Sequence, residues 1–188
     1  MTTRQLVSKL RRRALGLAAD QQGISVVEFA LLMPLMLTMF FGSLEVTDAI
    51  SADRQITLVA STVADITSQY SQVTAPDVQN IMAAASAVLS PFPVANVKVT
   101  LTSVVIDANG NGTVDWSTTL NGTQRSGTVT NLIPTSLRIA NTSVIWGEAS
   151  YAYKPVIGYV VTGTLNMSNQ IFMRPRLSNC VKYNGALC

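Results

Sequence analysis

The sequence has no histidine, and only two cysteines and two tryptophans among 188 residues; charged residues make up 12% and aromatic ones 6%. Without histidine the commonest general base and the commonest zinc ligand are both missing. No Ser-His, Cys-His or His-x-x-Glu constellation can form. The acids Asp65, Asp77, Asp107, Asp115 and Glu148 show no spacing that would pair two carboxylates for acid-base work. We therefore expect neither an enzyme nor a cofactor-binding protein. The formal charge of +3 does not point to nucleic acid either. Five of the 13 bases (Arg4, Lys9, Arg11, Arg12 and Arg13) lie near the start, against the one acid Asp20. The chain after residue 23 then holds eight bases and nine acids, which leaves no basic patch for nucleic acid.

What the sequence does have is a long apolar run. Residues 24–44 carry a single ionisable group, Glu28. At about 1.5 Å of rise per residue, such a helix crosses a hydrocarbon core of roughly 30 Å. The basic residues before it favour a cytoplasmic N-terminus and place everything after Leu44 outside. A cleavable secretory signal is the competing reading, but the run is long and no clean small-x-small site follows it. Pro34 lies inside the run, where proline removes a backbone hydrogen bond and kinks a helix.

Glu28 needs an explanation, because a carboxylate inside a membrane helix costs on the order of 2–3 kcal/mol unless it is neutralised or paired. One explanation puts it at the helix N-terminus and the membrane edge, where the helix dipole tolerates an anion. The other starts from Gly23-Ile-Ser-Val-Val-Glu28, in which Glu is the fifth residue after a glycine that follows a basic leader. That pattern resembles the type IV pilins and pseudopilins. With Phe29-Ala30-Leu31-Leu32-x-Pro34, it is most similar to the TadE-like branch of tight-adherence (Flp-type) pilus systems. The resemblance is strong over residues 21–66 and looser beyond.

The resemblance implies cleavage between Gly23 and Ile24 by a prepilin peptidase. The new amine on Ile24 would pair with Glu28 of its own or a neighbouring subunit. It also implies a minor pseudopilin in the bacterial inner membrane, with its C-terminal domain periplasmic and possible incorporation into an extracellular pilus. The implied partners are the peptidase, other pseudopilins, the pilus assembly platform and inner-membrane lipid. A different class of function stays open: a single-pass anchored binding or adhesion module unrelated to pili.

Beyond Leu44 the pattern stays helical. Ala49, Ala52, Ile56, Val59, Val63, Ile66 and Tyr70 repeat at alternating spacings of three and four, a narrow apolar stripe. It can pack on the chain's own domain or on neighbouring subunits. Thr74-Ala-Pro-Asp77 reads as a capped helix start, and a short helix over residues 75–89 follows. From residue 94 the character is β, with alternation over 97–103, a long strand over 142–153 and further strands over 157–161 and 165–173. The turn at Asp107, Asn109 and Asn111 has the opening of an EF-hand loop, but Thr118 replaces the closing glutamate. It reads as a hairpin turn with only a weak calcium likeness, and no metal site is expected. Tyr151 and Tyr153 suit packing better than a ligand platform. Arg174 and Arg176 can pair with Glu148, meet a partner, or stay solvated. Cys180 and Cys188 lie close enough to form a disulfide in an oxidising compartment.

These readings give an α+β fold of pilin-like outline. A leader (1–23) precedes a transmembrane helix (24–44) and an extracytoplasmic domain (45–188). In that domain the helix continues over 45–70 and packs on a small antiparallel sheet drawn from residues 94–188.

Overall fold

A computed structural model describes Gly16, residues 22–155, Gly158, residues 163–186 and Cys188. The leader arginines and, apart from Gly158, the strand expected at 157–161 lie outside the described residues. The chain divides after Leu44 into two units.

Helix α1 runs without interruption over Gln22–Ser68. Within the first unit its large apolar side chains face outward: Val26, Phe29, Leu31, Leu35, Met36 and Met39 are all more than half exposed. The helix passes through Pro34, which leaves the Ala30 carbonyl without its usual i+4 amide donor. The Thr38 hydroxyl donates to the Pro34 carbonyl at 2.8 Å.

In the second unit the helix becomes one wall of a core. Ala52, Ile56, Val59 and Val63 of the expected stripe are fully buried, and so are Ala60 and Ala64 beside them. Each Ile or Val buried this way contributes about 1.5–3 kcal/mol. The stripe therefore packs on the chain's own domain. It stops short of the sequence estimate, because α1 ends at Ser68 and Tyr70 lies beyond it, 37% exposed.

Strand β1 (Gln72–Val73) leads into helix α2 (Ala75–Val88). Thr74 caps α2: its hydroxyl accepts from the Asp77 amide, and the Asp77 carboxylate accepts from the Thr74 amide at 2.9 Å. This reciprocal pair satisfies backbone donors that a helix start leaves free. The helix buries Val78, Ile81, Met82 and Ala85, while Leu89 is its buried C-cap residue rather than its last helical one.

A short 3-10 turn (Val94–Asn96) precedes the first long strand, which starts at residue 97, where the alternation begins. Strands β2 (Val97–Ile106), β3 (Gly112–Leu120), β4 (Thr142–Tyr153) and β5 (Leu165–Met173) form one antiparallel sheet in the order β3-β2-β4-β5. A bulge in β3 skips Asp115, so Ser103 faces Trp116 and Val104 faces Val114. The inner face, with Val97, Val99, Leu101, Ile145, Ala149 and Tyr151, joins the core shared with α1 and α2. Tyr151 and Tyr153 are buried there, each packing edge-on against Phe92 with ring centroids 6.0 and 6.3 Å apart.

The tail returns to the end of α1. The Arg176 amide donates to the Ser68 carbonyl at 2.8 Å. Strand β6 (Lys182–Tyr183) pairs in parallel with β1, and Trp116 Nε1 donates to the Val181 carbonyl at 2.6 Å. Cys180 and Cys188 are joined by a disulfide, as the sequence suggested.

Candidate functional site

Two places hold chemistry, one in each unit. The first is the start of α1. Gly23 and Ile24 lie in the described helix, one and two residues past Gln22. Ile24 is 53% exposed, and a β-carbon added at Gly23 would meet nothing within 4 Å. Ile24 and Glu28 are four residues apart on a helix, so they share one face a single turn apart. Glu28 is exposed. An ammonium on residue 24 would therefore be within reach of this carboxylate, or of the same group on an adjoining helix.

The second place is the outer face of the sheet, on the side away from α1. Its lower half is closed by segment 128–137, whose Val129 and Ile133 bury against Val104 and Trp146. The Thr130–Leu132 and Thr135–Leu137 turns there are both 3-10. The upper half is an open groove of about 710 Å³ between loop 122–126 and strands β2, β4 and β5.

At its centre Arg125 grips Glu148 with two parallel bonds, Nε to Oε2 at 2.5 Å and Nη2 to Oε1 at 2.6 Å. The guanidinium lies 4.1 Å over the Trp146 ring, and Phe172 stacks on the same indole at 5.3 Å. The hydrogen bonds that Arg125 donates to Glu148 hold its pKa above its already high ordinary value.

This pairing corrects the sequence reading. Glu148 takes Arg125 rather than Arg174 or Arg176, and Arg176 pairs with Asp65 of α1 instead. Sequence reasoning passed over Arg125 because loop 121–127 looked merely polar. One signal was available: Arg125 is the sole charge between Asp115 and Arg138, and Glu148 is the last acid in the chain.

The calcium-like turn is internally satisfied. Asp107 Oδ1 accepts from the Asn109 and Asn111 amides, both at 2.8 Å, and Oδ2 accepts from Asn111 Nδ2 at 3.0 Å. The bonds from Asn111 lead in lowering the Asp107 pKa. The carboxylate thus builds the β2–β3 hairpin. Among the described residues no group of three or more His, Cys, Asp or Glu is placed to hold a metal.

An exposed apolar helix that runs on into an α+β domain defines a class. These are proteins whose domain follows one helix long and apolar enough to anchor it in a membrane. Residues 23–65 match the family model described as TadE-like protein. The match covers the apolar helix and most of its continuation and ends before β1. No curated protein and no solved structure matches the chain.

Proposed function

We propose that this chain is a minor pseudopilin of a tight-adherence pilus system. In this reading a prepilin peptidase cuts it after Gly23, one helix holds it in the inner membrane, and its outer domain lies in the periplasm. The observation that carries the reading is the start of α1. A glycine, then an apolar helix with one carboxylate a turn after the cut, lies within the stretch that matches the TadE-like family.

Cutting after Gly23 gives Ile24 an α-amine that is largely cationic at neutral pH. Either charge alone is penalised near lipid, and pairing with Glu28 relieves both. If the pair forms between subunits, it sets the register of one helix on the next. The helix is then kept after processing, unlike that of a secretory signal. Other pseudopilins and the assembly platform are its partners in this reading.

The test is the intact mass and N-terminal sequence of the membrane-extracted protein. An N-terminus at Ile24 supports pilin-type processing. One at Met1 or Thr2 overturns it and leaves an uncut anchored domain.

A further inference from the structure

The groove on the outer face is not used by the pilus reading, and its chemistry is specific. In register across the sheet stand Lys98, Ser150 and Ser168 in one row, and Thr100, Glu148 and Gln170 in the next. All six line the groove, with loop 122–126 as the facing wall. Hydroxyls both donate and accept, and the amide of Gln170 does both at its two ends. The charged side chains are two cations, Lys98 and Arg125, and one carboxylate, Glu148.

Glu148 is already held by two of the five N–H donors of Arg125. Three remain on a guanidinium whose side chain is 35% exposed. Lys98 is exposed as well and adds three more donors. The lining therefore has a net positive charge and a surplus of donors, set among groups suited to polyols. The apolar residues at its edge, Val129 and Ala149, are buried and offer no anchor for an apolar side chain.

The geometry points to a binding site for an acidic saccharide, a uronate-type sugar whose carboxylate meets Lys98 and Arg125 while its hydroxyls meet the Ser, Thr and Gln rows. The volume lies in the range of small-ligand sites, roughly 300–1,000 Å³. The groove is a hydroxyl-lined sheet face with no apolar pocket to anchor a peptide's apolar side chains. Glu148, paired with Arg125, leaves the lining with one positive charge in excess. It holds the guanidinium in place for a second anion.

The test uses the full chain in detergent, titrated with a trigalacturonate and, separately, with the neutral maltotriose. Binding is read by calorimetry and by intrinsic fluorescence, since Trp146 lies directly under Arg125. The expected result is saturable trigalacturonate binding with maltotriose at least about tenfold weaker. Lys98→Gln should weaken trigalacturonate about tenfold, the low end for a hydrogen bond to a charged group, with an unchanged melting temperature. Arg125→Lys keeps the charge but loses the fork and should weaken it further.

Lack of saturation at about 10 mM ligand overturns the proposal, since so weak an interaction carries no recognition. Equal binding of the neutral sugar overturns it too, as does full-strength binding by Lys98→Gln. Displacement by equimolar inorganic phosphate would reduce the site to a bare anion site and also overturn it. None of these outcomes depends on where the N-terminus lies, so this proposal and the pilus reading fail separately.

Discussion

Gly147 sets how closely helix α1 approaches the sheet. A β-carbon there would lie 2.5 Å from the Ala60 carbonyl oxygen, 3.0 Å from Ala64 Cβ and 3.2 Å from Val63 Cγ2. Ordinary contact of a β-carbon begins at 3.4 Å, so Gly147→Ala forces the strand away from the helix carbonyl. All three obstacles belong to the buried part of α1, and the worst is backbone, which no rotamer change can move. Over-packing of this kind costs about 1–3 kcal/mol, and the rigid neighbour favours the upper end. Alanine regains about 0.4–1 kcal/mol by restricting the unfolded chain, leaving a net loss of about 2 kcal/mol.

For an outer domain of this size, that loss corresponds to a melting point lower by roughly 6–8 °C. The assay is thermal unfolding of the detergent-solubilised protein, followed by tryptophan fluorescence. Gly112→Ala is the control. Its added carbon would lie at 2.7 Å from Ile133 Cδ1, the movable end of a side chain, with Val104 Cγ1 next at 3.2 Å. It should cost about 1 kcal/mol or less, because the obstacle can rotate away. If the two substitutions shift the melting point equally, or Gly147→Ala leaves it within about 2 °C of wild type, the close-approach argument is wrong.

Glu28→Gln should leave export and outer-domain folding intact and weaken co-purification of partner subunits; wild-type recovery of partners would sink the amine-pairing idea. Cys180→Ser should free the thiol of Cys188 and loosen the loop its disulfide closes across eight positions, at a cost of about 2–3 kcal/mol. Complete labelling of the unmutated protein by a thiol probe, without reductant, would refute that bond. Thr74→Ala removes the α2 cap and should cost about 1 kcal/mol in a denaturant titration, with an unchanged midpoint counting against the capping box. The hydrogen bonds from Thr74 lower the folded-state pKa of Asp77. The stability linked to Asp77 is therefore complete above its unfolded value near 4 and is lost as the pH falls through the lower folded one. An acid titration in which Asp77→Asn is as acid-sensitive as wild type would contradict this.

Local signals in the sequence determined much of the secondary structure. The 142–153 and 165–173 runs match β4 and β5 end to end, because alternation and flanking breakers are short-range properties. The apolar run with its lone Glu28, and the Thr74–Asp77 box, are legible for the same reason. The two cysteines were readable as a pair because only two exist, and they are eight positions apart. What the tertiary structure decided was pairing between distant segments. Arg125 and Glu148 are 23 positions apart, and Arg176 and Asp65 are 111 apart. Nothing local distinguishes these partners from other arginines and acids, and only the order β3-β2-β4-β5 and the path of the tail bring them together. Ala60 and Ala64 joined the core for a similar reason. Small residues carry little hydrophobic signal, and their burial depends on a glycine at position 147 of a strand that follows far later in the chain.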